Sequence, residues 1–505
     1  MLKDQYKSYP WRTIRYHRFY QIADQVVDEV QELIWADTGK AKRRVKGAEL
    51  EKLTYSIDKL IRDSVSLVLT DNYKHSCAIA KSKMQYEGDR DNPLLTYNIF
   101  IKRAYDGMIE LGYLYKAKGH FYNRNPNRNK FSDNRRTRYR AEDKLLNLFT
   151  EKEKKVLPVI IPPKPVEALI VQQKMITEYG TSKVRLKFEE TDESTKMREN
   201  LIIINNAISS KWYDLEIDNE EMPGLQRLLL SKERKAQGKE YTIDFSQRLL
   251  CRIFNDVNLE TGGRFYGGWW QNIPKAYRSK LIVDGKRMVE FDYSNLHPTI
   301  LYRQEGLNPP KDSYSLVIDE HFSDVQTNRA SLRPMVKKAF NAMLNAKKPL
   351  KNAPSGIKPK DFDLKWSQIS NAILKSHSNI AQHFYTGAGL RLQKVDSQIA
   401  EKVMLHFAKR RLPILPLHDS FLMHHGFKEE LPNAMRKAFE EMGLGEVDID
   451  QKVDHRIKPK PSLADFDPND YILSDDFSDI ENLLTQGFFL RESTFREMRS
   501  LPSYI

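Results

Sequence analysis

The sequence predicts an α+β protein built around more than one hydrophobic core. Three observations lead there. Residues 1–155 carry apolar positions at helical spacing, followed by a basic, Asn/Arg-rich stretch. Residues 156–240 open on the proline-punctuated run VLPVIIPPKPVEALI, which marks a connector. Residues 241–455 alternate short apolar strands with helical patterns, and a tail, 456–505, begins KPKPSLADFDPND and turns acidic. A chain of 505 residues is long enough for two to four domains.

Composition narrows the class. At 40% hydrophobic and 30% charged, the chain has an ordinary soluble composition rather than a disordered or fibrous one. Its 82 Lys+Arg outnumber 68 Asp+Glu for a formal charge of +14, which favours a polyanionic partner, nucleic acid before membrane. With only Cys77 and Cys251, neither a disulfide framework nor a cysteine-rich zinc module can form. The opening MLKDQYKSYPWRTIRYHRFY lacks a signal-peptide core, and no run approaches a membrane span. The expectation is a cytoplasmic protein without a membrane partner. No fixed-period repeat is present, which sets solenoids aside.

The elements follow in order. LLTYNIFIKRAYDGMIELG (94–112) has helical spacing, with Thr96 or Asn98 as a start signal. YLYKAKGHFY reads as a strand entering a loop, and RRTRYRAE as a strand returning from it. From Lys116 to Lys144 there are ten Lys/Arg against three acids, among them Arg124, Arg128, Arg135, Arg136, Arg138 and Arg140. A helix followed by a hairpin with a basic tip resembles a winged helix-turn-helix. That resemblance implies a helix in the major groove and guanidinium groups on backbone phosphates. A solvated loop on a generic helical bundle is the plainer alternative. Further on, RENLIIINNAI (198–208) reads as a helix leading inward.

The densest chemistry lies in TGGRFYGGWWQNIPKAYRSKLIVDGKRMVEFDYSNLHP, residues 261–298. Arg287 to Phe291 forms a strand running to Asp292. A second apolar run, LPILPLHDSFLMHH (412–425), carries Asp419. Two such strands can pair antiparallel with both carboxylates at one edge. Adjacent carboxylates repel unless cations lie between them, so the expected occupants are two Mg²⁺ (or Mn²⁺) ions. Two metals about 4 Å apart stabilise both oxygens of a phosphoryl displacement. Between these strands, NRASLRPMVKKAFNAMLNAKK predicts a helix capped by Ser331, with Pro334 in its first turn. Arg333, Lys337 and Asn341 recur every four residues, drifting only about 40° per step, so one face offers two cations and an amide to phosphate.

The order TGGR…QNIP…DYSNLH, then RxxxK on a helix, then HDS on a strand, resembles the polymerase module of family A DNA polymerases and the related single-subunit phage-type RNA polymerases. The resemblance covers about 255–455. Asp312-Ser313-Tyr314 and LQKVDSQIAEKVML (392–405) add to it, the latter standing where the family has a helix beginning Gln-x-x-x-x-Asp. It implies a right-hand fold of palm, helical fingers and reduced thumb, with any thumb drawn from 156–240. It further implies that Asp292 and Asp419 bind the catalytic metals, with the Tyr293 backbone completing one site. Arg333 and Lys337 would hold the incoming triphosphate, and Lys337 would serve the leaving pyrophosphate. Arg264 and Gln271 would contact template or primer, and Gln393 and His418 the primer terminus and minor groove.

The chain departs from the family at several positions. His297 stands where DNA polymerases of the family place Glu to screen the sugar 2′-position. Ser420 replaces a Glu after the second Asp, as in the phage-type RNA polymerases. Asn341 and Asn345 replace an apolar or aromatic residue and a Tyr. His297-Pro298-Thr299-Ile300 also resembles a family B motif.

Plainer roles are open to the same residues. Arg333 and Lys337 suit a solvated helix face, His297 and His418 suit structural hydrogen bonds, and Trp269 and Trp270 suit a core. His424 and His425, as adjacent strand residues, would face opposite ways and share no ion. Asp214 and Glu216 lack the further acids a proofreading exonuclease needs. TGGRFYGG is not a phosphate-binding loop of the G-x-x-x-x-G-K-[ST] type. The expected function is template-directed nucleotidyl transfer. DNA-dependent DNA synthesis without proofreading comes first, acting on template, primer and nucleoside triphosphates. A single-subunit RNA polymerase or primase-like enzyme is the alternative, and a non-catalytic DNA-binding replication initiator is another.

Overall fold

A computed structural model describes residues 17–36, 45–71, 95–119, 137–150, 168–177, 180–217, 221–229, 247–323 and 329–453, with scattered positions elsewhere. The architecture is α+β. Among the described residues no helix is long and apolar enough to cross a membrane.

The N-terminal unit has its own core, drawn from residues between Ile22 and Phe149. Helices α1 (His17–Ala36) and α2 (Ala48–Asp71) bury Val26, Val30, Leu53, Leu60 and Ile61. After strand β1 (Cys77–Ala78), a π-wound segment Tyr97–Tyr105 continues into α3 (Asp106–Glu110), with Thr96 at its start as expected. Gly107 lets α3 approach α1, because a Cβ there would stand 3.1 Å from Val30 Cγ1. Strands β2 (Leu114–Ala117) and β3 (Arg138–Ala141) pair antiparallel from Leu114 opposite Ala141, in a sheet of order β1-β3-β2. Helix α4 (Asp143–Leu146) follows. Arg124, Arg128, Arg135 and Arg136 lie outside the described residues.

The second core runs from Ala168 to Val447. Strands β4 (Leu169–Thr177) and β5 (Gly180–Leu186) form a hairpin, and helix α5 (Asp192–Ser209) begins on a Thr191 capping box that satisfies its first N–H groups. Strand β6 (Tyr213–Leu215) and helix α6 (Glu221–Leu229) lead to β7 (Cys251–Phe254) and β8 (Gly262–Tyr266), which complete a four-stranded sheet of order β5-β4-β7-β8. Trp269 and Trp270 are fully buried in the core. Asp214 accepts from Trp212 Nε1 and Glu216 pairs with Arg287, so both acids are occupied structurally.

Short helix α7 (Lys275–Arg278) and strand β9 (Leu281–Val283) precede β10 (Lys286–Tyr293), the centre of the second sheet. Helices α8 (Leu296–Gln304), α9 (Ser313–His321), α10 (Arg329–Asn345), α11 (Trp366–Ser376) and α12 (Ala388–Ala408) follow. Strands β11 (Leu415–Leu417) and β12 (Ser420–His424), helix α13 (Glu430–Glu440) and strand β13 (Ile449–Val453) close the described chain. β12 takes one edge of β10, pairing residues 288–292, while β9 and then β13 share the other edge.

Two expectations need correction. Helix α10 starts at Arg329, so Ser331 lies inside its first turn and Pro334 one turn further in, where the missing N–H forfeits one helix bond. His424 ends β12 but His425 begins a 3₁₀ turn, so strand alternation does not separate them; their rings stack at 4.5 Å.

Candidate functional site

Backbone pairing builds the site. Asp292, near the end of β10, lies directly opposite Ser420 on β12 and Asp450 on β13. Directly opposed residues share a sheet face, so Ser420, Asp292 and Asp450 form one row. Asp419 occupies the two-residue turn between β11 and β12, whose flanking residues Leu417 and Ser420 pair. The tight connection forces His418 to φ +70°, a left-handed conformation that costs an L-residue about 1 kcal/mol. The Tyr293 N–H donates to the Asp419 carbonyl at 3.3 Å, which fastens the turn to the end of β10.

The two acids predicted from sequence therefore meet. Burial, and next the neighbouring Asp419 charge, push the Asp292 carboxyl up to about 7 against the pull of Lys452 and Lys337. Behind them the buried Glu290 receives bonds from Ser420 Oγ at 3.1 Å and Arg278 at 3.0 Å. Tyr293 offers the site its backbone only, since its side chain turns into the core. Its hydroxyl donates to the Met435 carbonyl at 2.6 Å and its ring packs near Phe439, so the side chain belongs to the core.

Helix α10 supplies the cations. Arg333 Nε donates to Asp312 Oδ2 at 2.6 Å, and the guanidinium lies 5.4 Å from the Tyr314 ring centre. Lys337, one turn on, is exposed with its ammonium 5.7 Å from the same ring. Asp312 also caps α9, accepting from the Tyr314 and Ser315 N–H groups. Burial works against its charge, but Arg333, Ser315 and these N–H groups outweigh it and hold the carboxyl at about 2. Asn341 and Asn345 continue the α10 face, but Asn345 Nδ2 turns back to the Asn341 carbonyl at 2.7 Å and its amide fills the space beside Gly389. Asn345 thus lies against α12 at Gly389 and remains exposed at the end of the α10 face.

A third group centres on the almost fully buried Asp396 of α12. Arg264 of β8 donates to both its oxygens, at 3.1 and 3.0 Å, and His297 Nε2 lies 2.9 Å from Oδ2. Gly263 makes this possible. At φ +82° it lets β8 pass close to α12, where a Cβ would meet Ser397 Oγ at 3.0 Å. His297 is thereby fixed, together with Arg264, by the Asp of the LQKVDSQIAEKVML run. Gln393 is half-buried three residues earlier on α12.

Gln271 does not face outward as expected. Its amide donates to the Phe265 and Pro416 carbonyls at 2.9 and 3.2 Å, tying β8 to β11. The Arg264 guanidinium is likewise committed to Asp396. His418 packs edge-on against Tyr266 and is held below the ordinary histidine range by burial and then by Arg264. Its buried Nδ1 has no hydrogen-bond partner among the described residues. Of the basic stretch, Arg138 and Arg140 are described on β3, half-buried, and Arg140 stacks over Tyr115 at 4.8 Å.

These residues fit divalent cations in donor chemistry. Two neighbouring carboxylates, one of them only partly balanced by Lys452 and Lys337, suit an ion such as Mg²⁺, which keeps several waters and needs only one or two carboxylates. Among the described residues no group of three or more His, Cys, Asp or Glu is arranged to cage a metal. Sequence reasoning passed over Asp450 and Lys452, and gave Asp396 no partners. No known family model matches the chain, and no curated protein matches it.

Proposed function

We propose that this protein is a template-directed nucleotidyltransferase, a DNA-dependent DNA polymerase of family A type without a proofreading domain. The observation that carries the proposal is the meeting of Asp292 and Asp419 at one end of the β10–β12 ladder, with Asp292 in electrostatic contact with Lys337 of the α10 cationic face. In this reading the β10–β12 sheet is the palm, α9 to α12 the fingers, and α5 and α6 part of a reduced thumb. The N-terminal helices with the β2–β3 hairpin are a winged-helix-like DNA-binding unit.

Asp292 and Asp419 would hold two Mg²⁺ or Mn²⁺ ions, which when bound supply Lewis-acid stabilisation to attacking and leaving oxygens. The chain's own groups do the positioning. Arg333, locked by Asp312 and Tyr314, presents its remaining guanidinium N–H groups to the triphosphate. Lys337, which makes no hydrogen bond or ion pair among the described residues, is placed to meet charge developing on the departing pyrophosphate. His297, held by Asp396, stands at the sugar, and His418 lies beneath the strand terminus. Catalysis is then positioning plus electrostatics on an already activated phosphate.

RNA synthesis is the second reading. It is favoured by His297 in place of a Glu, and by Ser420, whose hydroxyl is spent on Glu290. A primer-extension assay with dNTPs and NTPs, each with and without primer, separates the two. Absence of incorporation on any template, with Asp292→Ala indistinguishable from the parent, identifies a non-catalytic DNA-binding protein.

A further inference from the structure

The edge strand β13 brings a charged pair to the acidic site that neither the motifs nor the proposed mechanism uses. Lys452 Nζ lies 2.8 Å from Asp450 Oδ2 and 3.6 Å from Asp292 Oδ2. The register explains this placement. Asp450 is directly opposite Asp292, and Lys452 is the extra residue of a β-bulge, lying between Gln451 opposite Phe291 and Val453 opposite Glu290, where the bulge re-aims its side chain toward the acids. The ammonium thus bridges two carboxylates in one row of the sheet. Its neighbours from other elements are Lys337 and Glu290, which act on Asp292, and Arg333, which acts on Asp450.

We propose that Lys452 is a tethered counter-cation for the acidic pair: it neutralises Asp292 when no divalent ion is present and lowers the site's affinity for that ion. This rests on the two-ion reading of Asp292 and Asp419. An ammonium beside one oxygen of Asp292 repels an arriving dication and shares its ligand. Displacement is nevertheless short, because the nearer partner is Asp450, and the lysine yields Asp292 by leaning fully on that second acid. Asp450 therefore acts through Lys452, as the anchor that keeps the charge close without letting it leave. The Lys452 side chain is partly solvent-exposed, so the movement needs no repacking of the core.

The test is Mn²⁺ binding to the full chain, followed by titration calorimetry and by the electron-spin signal of free Mn²⁺, with no nucleotide or DNA. Lys452→Met keeps the apolar stem and removes the charge; it is expected to bind Mn²⁺ about 3- to 30-fold more tightly, the scale of removing one unit charge several ångströms away in a partly solvated site. Lys452→Arg keeps the charge and stays within about twofold of the parent. Asp450→Asn weakens binding, and weakens it less when Lys452 is already Met, since the lysine transmits much of the effect. A purely structural lysine would leave Mn²⁺ affinity unchanged or reduce it on replacement. Lys452→Met binding no more tightly than the parent overturns the proposal, provided Asp292→Asn abolishes binding. If Asp292→Asn and Asp419→Asn both bind as the parent does, the ion site itself is wrong. Should Lys452→Met fail to fold by circular dichroism, an Asp450→Asn affinity equal to the parent's overturns the proposal instead.

Discussion

Asp292 and Asp419 meet through the backbone: Asp292 is paired across the ladder with Ser420, and the N–H of Tyr293 bonds the carbonyl of Asp419 at 3.3 Å. The carboxylates are thus placed by a β-ladder and a two-residue turn rather than by flexible side chains. Such placement is rigid, and it concentrates like charge where it is not easily relieved. The β-ladder holds the acids together despite their repulsion.

That repulsion predicts a stability gain on neutralisation. The Asp292 carboxyl titrates near 7 in the folded chain and at 3.8 unfolded, so the folded state favours its protonated form. This favourable term is present in full below about pH 4 and is lost as pH rises through about 7. In chelator, Asp292→Asn should therefore melt above the parent by about 2–4 °C at pH 8 and equally with it near pH 4. Thermal unfolding across that range checks it; a lower melting temperature at pH 8 would contradict it.

The α10 cations should divide their labour. Arg333→Ala is expected to raise the KM for nucleotide, because a fixed guanidinium binds ground state and transition state alike. Lys337→Ala should lower kcat, by about 10- to 1,000-fold, since its charge is needed where negative charge develops. Steady-state incorporation kinetics distinguish them. The Asp312 carboxyl, held at about 2 in the fold against 3.8 unfolded, stabilises the chain above about pH 4 and loses that effect as pH falls towards 2. Asp312→Asn should consequently flatten the acid limb of the stability curve.

Asp396→Asn removes the buried acid that holds both Arg264 and His297. Breaking a buried pair from one side should destabilise the fold by about 3 kcal/mol, measured by denaturant unfolding. The released His297 should also change the ratio of dNTP to NTP incorporation. An unchanged ratio would show that His297 plays no part in sugar selection.

For the N-terminal unit, replacing Arg138 and Arg140 with Ala should weaken duplex binding. It should also lower the slope of log affinity against log salt by about one to two. An unchanged slope would remove β3 from the binding surface.

How much of this was legible in the sequence depends on how local the signal was. Asp292 and Asp419 stood out because each sits at the end of an apolar run, and strand pairing then brings them together. The β2–β3 hairpin and the helix before it were legible from turn and periodicity signals. Asp450, Lys452 and the partners of Asp396 were not, because two charges on an edge strand, or contacts made across 99 and 132 residues, carry no pattern until the chain folds. Gln271 differs for the converse reason: it lies within a motif, yet its amide is claimed by the Phe265 and Pro416 carbonyls. The start of α10 was misplaced because Ser331 is a good cap residue in a place where the helix had already begun.

The most direct test is primer extension by the full chain, with Mg²⁺ and all four nucleotides, comparing the parent with Asp292→Ala and Asp419→Ala. Incorporation by the parent that falls by several orders of magnitude in each variant, with melting behaviour and duplex binding retained, is the result expected. Near-parental extension by either variant would contradict a shared two-carboxylate centre.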